Sequence, residues 1–505
     1  MNNCRICRTG TPARRQQSDG RKCPSYSPFA IAVSWQTEAE SRYPRRLRQL
    51  VRVTAVLFVC CGLIPEGLAA NRSDESERPN IIWIMADDLG YGDLGCYGGS
   101  KIQTPNIDRL ATEGMRFTQC YAGSTVCAPT RCVLMTGRHT GHSTVRGNSA
   151  RLPDRSRLLV PLRPEDVTVA EVLKQAGYAT GVTGKWGIGE RGSTGVPNAQ
   201  GFDQWLGFLN QKHAHGFYPE FLWKNRSIQI MDGNRGGHQR QWVHDAFNQF
   251  SLDFIDQHRD EPFFLYVAYT IPHGRYEIPS DAPYSNRDWP QSIKNYAAMV
   301  TRMDADVGRI MQRLKIFEID KRTIVFFTSD NGAEVYYFRR SGELEQYESI
   351  LNSSHPLRGY KRDLTDGGIR VPMIVRWPGQ IEPGTKNDFM WAFWDFLPTA
   401  ADLAGVDTPA EVDGQSVLPT LLGKRQDPHK FLYWEFFERG FQQAVRHKQW
   451  KALRLQQNSP LELYDVVNDL AEKNDVAAQH PDVIARIEAY LNTARSVSPY
   501  WPPAK

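Results

Sequence analysis

The chain is 505 residues long, with 23% charged and 41% hydrophobic residues and a formal net charge of +5 at pH 7. This composition is that of a globular protein, and the length allows one large domain plus a smaller one, or three ordinary domains. Because the small positive charge is concentrated in the first 52 residues, the charge balance gives no support for a nucleic-acid partner.

Residues 45–70 have the pattern of a secretory signal peptide. Arginines at 45, 46, 48 and 52 precede an apolar run over 53–64, and small residues follow at 67–70. An apolar run of about 12 residues is too short to span a bilayer stably, so we expect export to the periplasm or the medium without stable membrane insertion. A short membrane anchor is the alternative. Residues 1–44 are expected to be disordered or to reflect a mis-assigned start.

From residue 78 to about residue 405, buried strands alternate with helices. Continuous apolar runs predict strands within 78–90, 178–183, 262–270 and 323–332, and a short strand is expected over 117–122. Helices are predicted over 104–111, 167–177 and 296–314. This alternation predicts an α/β fold with a large, mixed, mostly parallel sheet sandwiched by helices.

The pattern changes after residue 405. Short strands are predicted at 431–436, 443–446, 450–453 and 461–465, and a closing helix at 483–494. We therefore expect a catalytic domain over 78–405 and a C-terminal subdomain over 406–505, built as a small antiparallel sheet with a helix.

Two predicted strands end in oxygen ligands. Asp87 and Asp88 follow the first strand, and Asp330 and Asn331 follow the strand at 323–329. Ligand groups gather at the carboxyl ends of parallel strands, and adjacent carboxylates repel unless a cation lies between them. A hard divalent metal ion is the natural partner. The alternative is a turn with two solvated acids.

Residues 127–138, CAPTRCVLMTGR, contain C-x-P-x-R followed by T-G. This pattern resembles that of the type I sulfatases, the formylglycine-dependent, arylsulfatase-like members of the alkaline phosphatase superfamily. Segments 356–361 and 366–372 resemble the L-R-G-x-K and G-G-x-R-V-P blocks of the same family. The resemblance covers roughly residues 78–490. The competing interpretation is a buried cysteine at an ordinary loop-to-helix junction.

The resemblance implies a modified nucleophile and a metal ion. In this family a maturase oxidises the cysteine to formylglycine, whose hydrate attacks sulfur and gives a sulfated enzyme intermediate. The family mostly uses calcium, one ion per chain, which suits an all-oxygen ligand set. Carried over to this sequence, the metal ligands are Asp87, Asp88, Asp330, Asn331 and the modified Cys127.

The resemblance also implies roles for the basic residues. Arg131 is expected to hold the hydrated aldehyde, and Lys185 and Lys361 to pair with the sulfate oxygens. His273 is expected to donate a proton to the departing alcohol.

This chain departs from the family at Gly187, where a histidine is usual in G-K-W-H. That histidine is thought to take the proton when the sulfated intermediate collapses. His213 and His215 are the candidate replacements, and we prefer His215; the alternative is that they only contact substrate or lie on the surface. A second departure is Asp366, where the family usually has Glu.

We therefore expect an exported sulfatase that hydrolyses a carbohydrate or aryl sulfate ester and meets a formylglycine-generating maturase transiently. The alternatives are a phosphonate monoester or phosphodiester hydrolase of the same superfamily, or an inactive sulfate-binding homologue, which Gly187 motivates. The substrate specificity is expected to depend on loops over 189–240 and 333–355.

Overall fold

The computed structural model describes residues 78–152 and 154–503. The predicted signal peptide and the segment before it lie outside the described residues. None of the described helices is long and apolar enough to cross a membrane. The strands are β1 Asn80–Ala86, β2 Met115–Phe117, β3 Cys120–Tyr121, β4 Ala150–Arg151, β5 Arg157–Leu158, β6 Ala179–Lys185, β7 Gln204–Phe208, β8 Phe221–Lys224, β9 Ser227–Ile230, β10 Phe263–Ala268, β11 Thr323–Ser329, β12 Met373–Arg376, β13 Thr385–Asn387, β14 Trp391–Ala392, β15 Leu432–Phe436, β16 Gln442–His447, β17 Trp450–Arg454 and β18 Glu462–Asp465.

Ten of these strands form one mixed sheet, in the order β13-β2-β12-β11-β1-β10-β6-β7-β8-β9. The central strands β11, β1, β10, β6 and β7 run parallel, and β12 and β8 join them antiparallel on either side. This confirms the predicted fold class. The carboxyl ends of the parallel strands lie at one edge, which is where the polar residues predicted for the site begin.

Side chains of β1 point alternately to the two faces of this sheet, and each face packs against helices in a hydrophobic core of its own. Trp83 packs in one core and Ile82 and Ile84 in the other. The helices are α1 Pro105–Thr112, α2 Cys127–Thr136, α3 Val169–Gln175, α4 Val243–His258, α5 Gln291–Ile316, α6 Tyr336–Ser341, α7 Leu344–Ile350, α8 Asp366–Ile369, α9 Phe396–Ala404, α10 Leu418–Leu421 and α11 Pro481–Leu491. Helices α2, α3 and α9 contribute to the core of Trp83, whereas α1, α4 and α5 contribute to the opposite core.

Strands β15 to β18 form the predicted four-stranded antiparallel sheet, and α11 packs against it. Its buried Lys451 lies 2.7 Å from Asp366 and 3.1 Å from Glu472, where the distances join the ammonium nitrogen to carboxylate oxygens. Asp366, the departure from the family pattern, therefore ties α8 to this sheet. Leu432 and Trp434 also belong to the core of the large sheet. The division between residues 405 and 406 stays a prediction.

Several elements, among them β7, β12 to β14 and α9, were not predicted from the sequence, and two further features differ from the expectation. The strand expected over 117–122 is interrupted, so that β2 pairs with β12 while β3 pairs with β14. The region between β7 and β10 also contains the β8–β9 hairpin and the long helix α4, which the sequence pattern did not indicate.

Candidate active site

The four predicted metal ligands meet at the carboxyl ends of β1 and β11, which pair in parallel. The backbone N–H of Asp88 donates to Asp330 Oδ1 at 3.1 Å, and Asn331 Nδ2 donates to Asp88 Oδ1 at 2.8 Å. All four side chains, including that of Asp87, are buried. The strand pairing thus places three carboxylates and one amide side by side.

Cys127 is the first residue of α2, and its thiol points to this cluster. The Sγ atom lies 3.4 Å from Asp87 Oδ1, and the residue is only 2% exposed. Burial, with Asp87 adding to it, raises the pKa of the Cys127 thiol, so the unmodified side chain is a neutral thiol at neutral pH. A buried neutral thiol is a poor nucleophile.

Arg131 follows Cys127 by one helical turn and lies under the carboxylates. Its Nη2 atom is 2.9 Å from Asp330 Oδ2 and 3.6 Å from Asp87 Oδ2, with no exposed surface on the arginine. The i, i+4 spacing therefore places residue 127 and the guanidinium on the same face of α2.

The two predicted lysines also reach the cluster. Lys185, the last residue of β6, places Nζ 2.6 Å from Asp87 Oδ2, and Lys361 places Nζ 2.7 Å from Asp88 Oδ1. Burial opposes the charge on Asp87, yet Lys185 and other nearby cations hold the pKa of Asp87 well below its usual range. The pKa of Lys361 is raised despite its burial, mainly by Asp88.

The residues present fit a hard divalent metal ion. Burial, followed by repulsion from Asp87, raises the pKa of Asp330 to about 7, so the cations of the site compensate the carboxylates incompletely. The buried Oδ1 of Asn331 has no hydrogen-bond partner among the described residues. A metal ion here would supply both the missing positive charge and the missing partner of the amide oxygen.

His273 and His215 lie together at the mouth of the cluster. Their rings stack with centroids 4.5 Å apart, and His273 Nε2 lies 3.5 Å from Asp88 Oδ2. Burial lowers the pKa of each histidine to about 3, so both are neutral at neutral pH and able to accept a proton. His213, in contrast, packs between the rings of Phe208 and Phe221.

Gln211 occupies the space beside Gly187. A Cβ atom at position 187 would clash with Gln211 Nε2 and would lie 3.4 Å from Arg131 Cδ. The Oε1 atom of Gln211 is buried without a partner among the described residues. Sequence reasoning missed Gln211, and it also missed Glu334, whose carboxylate lies 3.6 Å from the Lys361 ammonium. No spacing in the sequence signals either contact.

A cavity of about 640 Å³ opens to the surface, and its lining includes Cys127, Gln211, His215, His273, Glu334 and Lys361. Cys127 and Lys361 lie at its floor, His215 and His273 on one wall, and Gln211 beside them. The buried cysteine and the charged residues around it therefore lie below an opening that is large enough for a sugar.

Comparisons with known proteins identify the class. The sulfatase family model matches residues 79–406, and the model for the C-terminal part of N-sulphoglucosamine sulphohydrolase matches residues 359–496. The chain is 31% identical to an N-acetylgalactosamine-6-O-sulfatase of Bacteroides thetaiotaomicron, over 89% of this chain and 99% of that protein. It is 34% identical to arylsulfatase A of Homo sapiens, over 70% of each.

A solved structure agrees with this. The structure of Ps i-CgsB in complex with k-i-k-neocarrahexaose superimposes with a TM-score of 0.71 at 28% identity, and covers 83% of this chain and 94% of that one. The fold and the site therefore define a hydrolase of sulfuric esters within the alkaline-phosphatase-like superfamily. The chain belongs to the sulfatase family, as the sequence resemblance implied.

Proposed function

We propose that this sulfatase hydrolyses a sulfate ester on a carbohydrate through a formylglycine formed at Cys127, with calcium as the metal ion. The observation that carries the proposal is the contact of the Cys127 side chain with the buried Asp87–Asp88–Asp330–Asn331 cluster. As a hydrate, formylglycine supplies a second hydroxyl group that a serine or cysteine lacks. Calcium is favoured because every protein ligand in the cluster offers oxygen.

The chain's own residues then have distinct tasks. Arg131, held by Asp330, orients the side chain at position 127 and compensates negative charge. Lys185 and Lys361 are within reach of the same side chain and stabilise the charge that develops on the sulfate oxygens. His273 is placed to protonate the leaving alcohol once the negative charge of a bound sulfate ester has raised its pKa, and His215, stacked on it, to accept a proton afterwards.

The substrate class follows from the relatives. An N-acetylgalactosamine 6-sulfate ester is the first compound to test, because a relative that matches over nearly its whole length bears that name. A small aryl sulfate is the second, because arylsulfatase A is also similar.

The decisive experiment combines mass spectrometry with turnover. The chain is co-expressed with a maturase, and the tryptic peptide that contains residue 127 should lose about 18 Da, the mass change of thiol-to-aldehyde conversion. The same preparation should hydrolyse 4-nitrophenyl sulfate faster than the matched phosphate and phosphonate esters. Full activity with an unmodified thiol would contradict the formylglycine, and faster phosphonate turnover would favour the alternative hydrolase.

Export is part of the proposal and rests on the sequence pattern of residues 45–70. N-terminal sequencing of exported protein should find a start near Ala69 or Ala70. A start upstream of residue 50 would contradict it.

A further inference from the structure

The cavity above the Asp87–Asp88–Asp330–Asn331 cluster is lined by more positively than negatively charged side chains. Its acidic lining residues all have partners: Glu334 lies 2.7 Å from Arg362, Asp363 lies 2.6 Å from Arg439, and Glu438 lies 3.3 Å from Arg362. Lys361 is paired with Asp88 at the floor. These ion pairs account for the whole acidic lining that the described cavity offers.

Three further cations line the same cavity, and we call them the basic rim: Arg157, Lys212 and Arg339. Within the described parts of the chain, no carboxylate lies within 4.0 Å of any of them, and all three are exposed. They come from separate segments, namely β5, the turn before His213 and helix α6. Three cations from distant parts of the sequence therefore converge on one mouth without a protein counterion.

Aromatic rings accompany the basic rim. Tyr336, Tyr337 and Tyr360 line the cavity, and Tyr336 is 51% exposed although its side chain is large. Tyrosine presents a rigid apolar face and a hydrogen-bonding tip, which suits contact with the C–H face of a sugar ring. Rings next to unpaired cations fit a saccharide that carries negative charge.

We propose that the basic rim binds a second anionic group, a sulfate or a carboxylate, on a substrate whose scissile sulfate lies at the floor. The inference rests on the proposed function and specifies its substrate class as a polyanionic saccharide. On the proposed function the scissile sulfate pairs with Lys185 and Lys361, which are buried, so it cannot also pair with the exposed cations of the rim. A neutral sugar with one sulfate leaves the rim without a counterion.

The test measures how tightly matched saccharides inhibit hydrolysis of 4-nitrophenyl sulfate by the matured, calcium-loaded protein. The ligands are N-acetylgalactosamine 6-sulfate, its 4,6-disulfate, and a disaccharide in which the 6-sulfated sugar is joined to a uronate. One exposed ion pair changes affinity by up to about fivefold, so a second anion that pairs with two cations of the rim should tighten binding about tenfold at low salt. Comparison of the 4,6-disulfate with the uronate disaccharide shows whether the rim prefers a second sulfate or a carboxylate. This preference should shrink at high salt because the rim is exposed.

The variant Arg157→Ala/Lys212→Ala/Arg339→Ala removes the whole rim and should bring the affinity ratio between two-anion and one-anion ligands close to one, whereas the same variant with lysine instead of alanine at position 339 should keep part of it. Lys424→Ala, an exposed lysine outside the cavity, serves as the control and should keep the ratio. The inference is overturned if the ligands bind equally, if the ratio survives the triple substitution, or if every ligand, including the aryl sulfate, weakens by the same factor. The last result indicates general electrostatic steering.

Failure of the proposed function gives a different result. In that case matured protein hydrolyses neither 4-nitrophenyl sulfate nor N-acetylgalactosamine 6-sulfate. Calorimetric titration of the same saccharides into the full chain then still measures the affinity ratio, so the basic rim is tested independently of turnover.

Discussion

Gly187 has a φ of +80°, and Gln211 fills the space where a side chain would project. We predict that Gly187→Ala lowers both the thermal midpoint and the turnover. A left-handed backbone costs a non-glycine residue about 1–2 kcal/mol, and the added Cβ also clashes with Gln211. Gly192→Ala is the matched control, because Gly192 has a φ of +82° with no atom within 4 Å of the point where a Cβ would lie. Gly187→Ala/Gln211→Ala should recover part of the loss. Equal effects of the two glycine substitutions would contradict the clash.

His215 is predicted to accept the proton that completes the catalytic cycle. Its neutral ring stacks on His273 at the cavity mouth, whereas His213 is held between aromatic rings. In a rapid-mixing experiment with an aryl sulfate, His215→Ala should release one equivalent of phenol and then stall with sulfate retained by the protein. His213→Ala is the control. Steady turnover of His215→Ala near the wild-type rate would exclude the role, and loss of the burst would indicate substrate binding instead.

Much of the site was predictable, because its residues follow buried strands or occur in fixed motifs. Asp87 and Asp330 end two apolar runs, and parallel pairing brings such ends together. Gln211 was not predictable in the same way. Its contact with Gly187 depends on how the chain folds back after β7, and neither a glycine nor a glutamine in the sequence predicts such a contact.

The buried strands β1, β6, β10 and β11 were predicted from their apolar runs, whereas helix α4, which buries polar groups, was not. Helix α4 buries His244, Asn248 and Ser251, which obscures the hydrophobic periodicity on which a helix prediction depends. His244 Nε2 and Asn248 Nδ2 each form a hydrogen bond with the carboxylate of Asp306 in α5, a contact visible only in three dimensions. In contrast, α5 itself has a regular apolar stripe and was predicted within a few residues at its C-terminal end.

A buried carboxylate also connects the loop after β1 to α5. Asp93 accepts hydrogen bonds from the hydroxyl groups of Tyr296 and Ser353 and from the Gly90 N–H. Burial is the main cause that raises the pKa of Asp93 from 3.8 to about 6.

A raised pKa in the folded state means that this group's stabilising contribution is fully present below pH 3.8 and is lost as the pH rises through about 6. Asp93→Asn cannot ionise, so its free energy of unfolding should improve relative to wild type by up to about 3 kcal/mol between pH 4 and 7. Thermal midpoints of both proteins across this range measure the difference. A constant difference between the two proteins would show that Asp93 titrates normally.

Over the whole molecule, metal binding and folding are linked, because the ligands come from segments about 240 residues apart in the sequence. Calcium at a concentration of 100 times its dissociation constant should stabilise the fold by about 2.7 kcal/mol, and a chelator should reverse this. Asp330→Ala should abolish the calcium-dependent rise in the thermal midpoint. Zinc found stoichiometrically and required for turnover would contradict the choice of calcium.

The burial of Cys127 determines when a modifying enzyme has access to its sulfur atom. In the folded protein Cys127 is only 2% exposed and lies at the floor of a cavity that is also lined by Lys361, a residue that the ribosome adds 234 positions later. A modifying enzyme needs the sulfur atom within its own active site, so it must act on a chain that has not yet closed over this residue. On the proposed formylglycine mechanism, conversion of the thiol therefore competes with folding, and we expect a molecule that folds first to remain without its nucleophile. The fraction of active protein in a preparation then reflects the rate of thiol conversion relative to the rate of folding during synthesis.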